Sequence, residues 1–530
     1  MKRIYLLMLL NIISLYSNAQ DVNLSNYPYF DAEPTVAINP VNPNNVIVAW
    51  MKATSPGQIS IAYAYTLNQG NTWSSPALLP HHSSSFTSAD VSLQFNTAGT
   101  AFICYIDYKS ALDSGFVMVS KSINQGQTWS NPVNVIGAHE TSDLPIDRPW
   151  IAIDNSSGIY SGRIYVTSKS YYAGPLPHYI WLKSSSDGGL TWTSIKQLDD
   201  SIPTDLVTNS MAVPTVGVDG NLYIAYASYH PAQSVYARMI CTKSTDGGAH
   251  FNPLVAFLFA SNSAVNDTLY HPSYVLSANP QDSSNVILSC VDARNGDPDI
   301  LCFYSKDAGI SWNTTPVRVN DDNIGNGAGQ DMVWGGFNPQ NKQYFAAWRD
   351  RRNTGLTSTS NFEIYQAGSQ SEGVAFCPSF KLSQTPSSPY IGIRRGNDFM
   401  GLALGQNFMY AVWGDSRTGN IEIFGASTSD AIPGACGDDV RENAIEDLSL
   451  NLYPNPNNGT LNIKLNMSQP ANLSLSIFDI NGKLVKQVPT VSTINGQNEL
   501  TLDVSKLTAG HYLLRLTGKG VRGQTGFEKQ

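Results

Sequence analysis

Three loops of the sequence carry an aspartate and an arginine two residues apart: Asp292-Ala-Arg294, Asp350-Arg-Arg352 and Asp415-Ser-Arg417. A guanidinium group binds a carboxylate through two parallel hydrogen bonds. The pattern therefore predicts either a polar pocket in which the arginines bind an acidic ligand, or loops in which each aspartate holds its own arginine. Repetition at equivalent positions favours the second interpretation, because an active site usually breaks the symmetry of a repeat.

A second set of polar residues stands where seven short apolar stretches begin: Glu33, Asp90, Asp147 with Arg148, Ser210, His271, Asp331 and Asp398. If these stretches are equivalent strands around one axis, their side chains form an acidic ring that binds a polar ligand. Two alternatives stay open: the carboxylates only cap the strands, or they share a Ca²⁺ ion, which prefers several carboxylate oxygens. No other metal and no cofactor is expected, because no Cys/His cluster has zinc-ligand spacing.

The stretches that position these residues recur at intervals of roughly 60 residues. Each inner strand, such as PTVAINP, is followed by a strand such as NVIVAW and then by a turn with the frame S-x-[DN]-x-G-x-[TS]-W. Five turns keep the frame well and a sixth, SQSEGVAF at 369–376, keeps it weakly. The five good copies comprise Asn68, Gly70, Trp73; Asn124, Gly126, Trp129; Asp187, Gly189, Trp192; Asp246, Gly248, Phe251; and Asp307, Gly309, Trp312.

Four short strands repeated at this spacing predict an all-β chain with a β-propeller of four-stranded blades. Seven inner-strand copies favour seven blades, with six as the alternative. The seventh copy lacks a clear fourth strand, and we expect residues 21–30 to supply it and close the ring. In the turns, glycine allows a left-handed backbone and Asp or Asn bonds nearby amides, so a structural role is predicted for the frame.

The turn motifs resemble the Asp boxes, or BNR repeats, of the sialidase (neuraminidase) superfamily. The resemblance implies a propeller with its ligand site at the centre. In that family three arginines bind the substrate carboxylate, a tyrosine paired with a glutamate is the nucleophile, and an aspartate is the acid/base. The family's F/Y-R-I-P signature has its counterpart at Tyr29-Phe-Asp-Ala-Glu33-Pro34, where Glu33 replaces the arginine. The nearest substitute is Asp147-Arg148-Pro149, so the catalytic candidates are Arg148, Asp147, Arg394 and Arg395.

Both ends of the chain carry predicted export signals. Lys2 and Arg3 precede the apolar run 4–15, and Ser17-Asn-Ala19 offers small residues for cleavage after Ala19, which is typical of a signal peptide rather than of a membrane anchor. The C-terminal motifs YPNP, G-x-L-x-I, D-x-x-G-K-x-V and L-x-x-G-x-Y-x-L resemble the type A sorting domain of the type IX secretion system. That resemblance implies a Bacteroidota protein, released or attached at the cell surface, with the secretion machinery as a partner.

The 530 residues are therefore divided into a signal peptide (1–19), a propeller (20–432), a linker (433–447) and a small β-sandwich sorting domain (448–530). A net charge of −9 argues against a nucleic-acid partner, and no apolar segment after the signal peptide is predicted to cross a membrane. Export permits disulfides. Cys377–Cys436 is the preferred pair and Cys290–Cys302 a second option, with free buried thiols as the alternative.

Two functional hypotheses remain open at this stage. The first is a secreted or cell-surface module that binds a glycan or another polar ligand in the central funnel, through Glu33, Asp90, Arg148, His271, Asp331, Asp398, Arg294, Arg352 and Arg417. The second is an exo-sialidase-type glycoside hydrolase acting on sialylated glycans. They differ in geometry, because an enzyme needs an asymmetric cluster with arginines that are not already closed on their own aspartates.

Overall fold

The computed structural model describes residues 21–26, 30–55, 57–171, 173–174, 176–260, 273–388, 398–429, 446–448, 450–467, 470, 472–479, 484–518 and 521–530. The chain divides into two compact units between Pro433 and Gly434. Every regular element among the described residues is a β-strand, as the sequence predicts. No helix in this part of the chain has the length and hydropathy needed to span a membrane.

The first unit contains seven antiparallel four-stranded sheets, the blades of a propeller. Strand β1 (Val22–Asn23) precedes six blades that follow chain order. Their strands, innermost first, are β2 (Asp31–Ile38), β3 (Val46–Ser55), β4 (Gln58–Thr66), β5 (Ala77–Leu78); β6 (Thr87–Phe95), β7 (Ala101–Tyr108), β8 (Gly115–Ser122), β9 (Val133–Gly137); β10 (Asp147–Ile153), β11 (Ile164–Lys169), β12 (Ile180–Ser185), β13 (Lys196–Gln197); β14 (Val213–Val216), β15 (Leu222–Ser228), β16 (Arg238–Ser244), β17 (Asn252–Leu258); β18 (Tyr274–Ala278), β19 (Val286–Asp292), β20 (Asp299–Ser305), β21 (Val317–Arg318); and β22 (Asp331–Phe337), β23 (Tyr344–Asp350), β24 (Glu363–Ser369), β25 (Phe380–Lys381).

The seventh blade combines the two ends of the propeller sequence. Its strands are β26 (Gly401–Leu404), β27 (Phe408–Asp415) and β28 (Glu422–Ser429), and β1 pairs with β28 as the outer strand, with Val22 opposite Gly425. Inner strands contact one another in blade order, and β2 of the first blade also contacts β26 of the seventh. The prediction of seven blades, with the segment after residue 20 supplying the fourth strand of the seventh, is therefore confirmed, and the alternative of six is wrong.

The Asp-box turns connect the third and fourth strands and share one hydrogen-bond pattern. In the third blade the Ser185 hydroxyl donates to Asp187 and accepts from the Gly189 amide at 2.9 Å, while Asp187 accepts from the Thr191 amide. These bonds satisfy backbone amides that no strand pairs. The Asp-box tryptophans pack on aromatic rings of the preceding blade: Trp73 lies 5.3 Å from Tyr410 and Trp129 lies 5.8 Å from Tyr63.

Cysteine pairing differs in part from the expectation. Cys377 is in a disulfide, and its predicted partner Cys436 lies outside the described residues. Cys290 and Cys302 are free, so the second predicted pair is wrong. Cys290 pairs in register with Leu301, and Cys302 with Ser289, so the two thiols point to opposite faces of the fifth blade. Cys104 and Cys241 are also free and buried.

The second unit has two sheets, as expected for a small β-sandwich. One has the order β29 (Glu446–Asp447), β36 (Val521–Lys529), β35 (Gly510–Gly518), β32 (Asn472–Asp479) and β33 (Leu484–Ser492). The other has the order β30 (Asn451–Tyr453), β31 (Thr460–Met467) and β34 (Gly496–Asp503). Alternate residues of the strands, such as Leu461, Ile463, Leu475 and Ile477, are fully buried in one core.

Candidate functional site

The starts of four inner strands share a backbone irregularity. Each strand has a β-bulge, and the residue in the bulge has a positive φ: 53° at Glu33, 46° at Asp90, 48° at Arg148 and 53° at Met332. Residues other than glycine rarely adopt a positive φ. Where they do, they are often found at active or ligand-binding sites. Blades one to three place charged groups in the bulge, whereas the sixth places a buried methionine there.

Three of these residues meet Asp398, which precedes the inner strand of the seventh blade. The Arg148 guanidinium Nη2 forms an ion pair with Asp398 Oδ2, and the Arg148 amide donates to Asp90 Oδ2 at 3.1 Å. Glu33 hydrogen-bonds to both Asp90 and Asp398. Glu33, Arg148 and Asp398 are 3%, 8% and 4% exposed, while Asp90 is half-buried. We call Glu33, Asp90, Arg148 and Asp398 the central cluster.

An aromatic layer lies against the central cluster. The Phe399 ring is 5.0 Å from Arg148 Cζ and meets the Trp150 ring edge-on at 5.3 Å, and Trp150 stacks on Trp334 at 4.9 Å. Toward the other end of the channel is a cavity of about 420 Å³, lined by all seven inner strands and reaching the turns that follow them. The cavity shares Trp150 and Trp334 with the aromatic layer but has no residue of the central cluster in its lining.

Protonation of the central cluster differs from that of ordinary carboxyl groups. Burial, reinforced by the charges of Asp398 and Asp90, raises the pKa of Glu33 well above its usual value. Burial and the neighbouring Asp147 raise the pKa of Asp90 to about 7, against the opposing effect of Arg148. Burial alone would lower the pKa of Arg148, but the carboxylates around it outweigh burial and raise it. The protonated form of Glu33 is therefore more favoured than that of an exposed glutamate, and Arg148 stays charged.

The other predicted ring residues are held by local partners. Asp147 forms an ion pair of 2.8 Å with Lys169, a fully buried lysine that the sequence analysis missed. The Ser210 hydroxyl bonds to the Ala227 backbone. His271, Arg394 and Arg395 lie outside the described residues.

Asp331 is a buried counterion of two arginines, and its predicted ligand-binding role stays a prediction. Arg349 donates to it with two bonds of 2.7 and 2.5 Å, and Arg351 adds bonds of 3.2 and 3.3 Å. Burial alone would raise the pKa of Asp331, but the two arginines hold it below its usual range. Neither arginine was predicted. Arg349 lies near the end of the second strand, opposite Asp331 in register, so the two side chains share one face of the sheet, and Arg351 follows that strand directly.

The three Asp-x-Arg motifs are closed within their own loops. Arg294 donates to both carboxylate oxygens of Asp292, at 2.9 and 3.0 Å. Arg352 bonds to Asp350 at 2.8 Å and to Asp321 at 2.5 Å, and Arg417 bonds to Asp415 and to Asp21. Each aspartate thus holds the arginine of its own motif, which is the second of the two interpretations of this repeat. The predicted role as ligand contacts stays a prediction for Arg294, Arg352 and Arg417.

The tyrosine and arginines that sialidase chemistry requires do not form that arrangement within the described ranges. Tyr274 is near enough to Arg148 for the charge to affect its hydroxyl, but that hydroxyl is buried and bonded to both the amide and the carbonyl of Met211. Arg148, Arg349 and Arg351 each already pair with a carboxylate. No group of three or more His, Cys, Asp or Glu side chains in the described part has the geometry of a metal site, so the Ca²⁺ alternative finds no support there.

Comparison with known proteins identifies the C-terminal unit. Residues 451–525 match the family described as the secretion system C-terminal sorting domain, which confirms that prediction. The chain is thus exported, to the cell surface or to the medium.

The propeller has more distant similarities. A xyloglucanase of a Paenibacillus species is 25% identical over 204 residues, which are 36% of this chain and 18% of that protein. The chain therefore spans less than a fifth of that relative. Among solved structures, a Dyadobacter fermentans protein of unknown function is 14% identical, with a TM-score of 0.45 over 78% of this chain and 99% of its own. A Hadza microbial sialidase is 14% identical, with a TM-score of 0.43 over 73% of each chain.

Proposed function

We propose that the propeller binds a glycan at the end of the channel where the inner strands begin, and that the exported protein presents this site outside the cell. The observation that carries the proposal is the central cluster. Carboxyl groups from the first, second and seventh blades meet a guanidinium group from the third, and three of these four residues lie in bulges that the repeat does not fill uniformly. Convergent polar groups beside aromatic rings suit a sugar, which has polar edges and apolar faces.

Calorimetric titration of the purified protein with a panel of oligosaccharides tests this proposal. The panel contains xyloglucan oligosaccharides, arabino-oligosaccharides, oligogalacturonates and sialyllactose. We expect saturable binding of at least one class, and a loss of that binding in Arg148→Ala. Binding that survives in Arg148→Ala would move the site away from the central cluster. Thermal unfolding of the variant provides the control for its fold.

A glycoside hydrolase is the second candidate function, and one observation favours it. The pKa of Asp90 is raised to about 7, so the protonated form of this half-buried carboxyl group is accessible at neutral pH. That is the protonation state from which a general acid donates to a leaving-group oxygen. The sialidase version of this hypothesis is tested with a fluorogenic sialoside, and the broader version with aryl glycosides of neutral sugars. Turnover that disappears in Asp90→Asn would establish an enzyme; its absence with every substrate would leave the binding function.

A further inference from the structure

We infer that the central cluster selects a neutral, hydroxyl-rich sugar unit and rejects sugars that carry a carboxylate. This inference rests on the proposed function and names the class of glycan that the site takes. It differs from the expectation for sialidase-like propellers, whose ligand is an acidic sugar. Charge, hydrogen-bonding capacity and the comparison of equivalent bulges each support it.

The charges in and around the cluster leave little attraction for an anion. Among the described residues, two cations lie in this region, and each has a carboxylate partner: Arg148 pairs with Asp398, and Lys169 pairs with Asp147. Glu33 and Asp90 add two further carboxyl groups at the same place. A sugar carboxylate here would approach the charge of Asp398 and that of Asp90 in its ionised form, and only one guanidinium group, which Asp398 already neutralises. Like charges at such distances repel strongly in a partly buried site.

The hydrogen-bonding capacity of the cluster suits hydroxyl groups. Arg148 Nη1 is buried and has no acceptor, in a residue that is only 8% exposed. A buried N–H group without an acceptor is destabilising, so this donor offers a bond to an incoming oxygen. The half-buried carboxyl of Asp90 lies beside this residue, since its Oδ2 accepts from the Arg148 amide, and it supplies an acceptor for a ligand. A sugar hydroxyl satisfies both groups, since it accepts from the guanidinium and donates to the carboxylate.

The apolar part of a sugar ring also finds a surface here. Phe399 lies beside the Arg148 guanidinium, and Trp150 packs against Phe399. Trp150 Nε1 is a second buried donor without an acceptor. A flat aromatic layer beside donors and acceptors matches a sugar ring, which has apolar C–H faces and polar edges.

The sixth blade shows what the same backbone does without these groups. Its bulge repeats the positive φ of the other three, but it holds Met332, which is 2% exposed and packs in the core between blades six and seven. The bulge is therefore part of the scaffold, and the polar residues in the first three blades are the specific addition. This makes Met332 a matched control position for a substitution at Asp90.

The test compares a neutral xyloglucan oligosaccharide with oligogalacturonate and sialyllactose by calorimetric titration of the full-length protein. We expect the neutral oligosaccharide to bind about tenfold more tightly, or better, than either acidic one. Asp90→Asn removes the charge but keeps the shape, and it should reduce this preference by weakening the neutral ligand and admitting the acidic ones. Met332→Leu should leave the preference unchanged. Arg148→Lys keeps the charge but loses the guanidinium fork, and it should weaken the neutral ligand.

Each outcome decides the neutral-sugar inference, the glycan-binding function, or both. Tighter binding of sialyllactose or oligogalacturonate would overturn the inference while supporting the glycan-binding function. A preference that is identical in the wild type and in Asp90→Asn would also overturn it, because the selecting groups would lie elsewhere. Binding of no oligosaccharide would overturn the proposed function and the inference together. Unfolding midpoints of all variants show which losses of affinity come from loss of fold.

Discussion

At one end of the propeller, six Asp-box turns repeat the same hydrogen bond, from a glycine amide to a serine or threonine hydroxyl four residues earlier, at 2.8 to 3.1 Å. At the other end, equivalent bulges hold a glutamate, an aspartate, an arginine and a methionine. The regular end joins blade to blade: Lys121 bonds to the Gly188 carbonyl of the next turn, and Lys243 bonds to that of Ala308. The repeat therefore encodes the fold, and departures from it mark the candidate site.

The largest loss of stability is expected from a substitution at Asp331, the buried counterion of two arginines. In Asp331→Ala, two buried guanidinium groups lose their shared carboxylate. Removing one partner from such a group costs about 3–5 kcal/mol of stability. Denaturant unfolding of the wild type and the variant measures this difference. A change below about 1 kcal/mol would contradict the buried ion pairs.

An effect of intermediate size is expected from pH at the central cluster. Because the folded-state pKa of Asp90 is raised from 3.8 to about 7, the folded state retains this proton longer than the unfolded state does. The contribution to stability is complete below about pH 4 and is lost as the pH rises through 7. Glu33 acts in the same direction. The midpoint of thermal unfolding should fall between pH 5 and pH 8 in the wild type, and less steeply in Asp90→Asn; equal slopes would contradict the raised pKa.

A smaller effect is expected at the regular end. Ser185→Ala leaves the Gly189 amide without its acceptor, which costs about 1–2 kcal/mol. Ser185→Thr is the matched control, because Thr66 occupies the same position in the first blade and accepts the same bond. Unfolding should separate the two variants, while their affinity for the glycan stays that of the wild type. Loss of affinity in Ser185→Ala at constant stability would give the turn a functional role.

The smallest effect is expected in the Asp-x-Arg loops. Arg294→Gln loses a bidentate bond to Asp292 at a position where the arginine side chain is 26% exposed, and the Arg294 amide still bonds that carboxylate. We expect a loss of about 1 kcal/mol in stability and no change in glycan affinity. Calorimetric titration and unfolding of the same preparation measure both quantities. A large loss of affinity would return Arg294 to the set of ligand contacts.

The structure of the regular end of the propeller follows from local sequence, and that of the irregular end does not. The seven blades and the closing strand were predictable, because each Asp box and each inner strand carries its own pattern of residue types. The closed Asp292–Arg294 loop was foreseeable as one of two alternatives, since its partners are two residues apart. The Arg148–Asp398 pair joins residues 250 positions apart, and nothing local specifies it.

The bulges could not be predicted from the sequence either. Glu33, Asp90, Arg148 and Met332 share a backbone conformation without sharing a residue type. A pattern search therefore cannot find the position that they have in common. Asp331 shows the reverse difficulty, because its place in the acidic ring was visible while its two arginine partners on the neighbouring strand were not.

Strand β1, which completes the seventh blade, is synthesised before the other propeller strands. It can pair only after its partner β28, the last propeller strand, has been made. Asn23 bonds to Glu422, 399 positions later in the chain. At roughly 5–20 residues per second, a ribosome needs about 20–80 s to cover that distance. Throughout that time the first strand has no sheet to join. A chain that lost residues 21–26 would keep β28 as an exposed sheet edge, a template on which a second molecule can add its own strand.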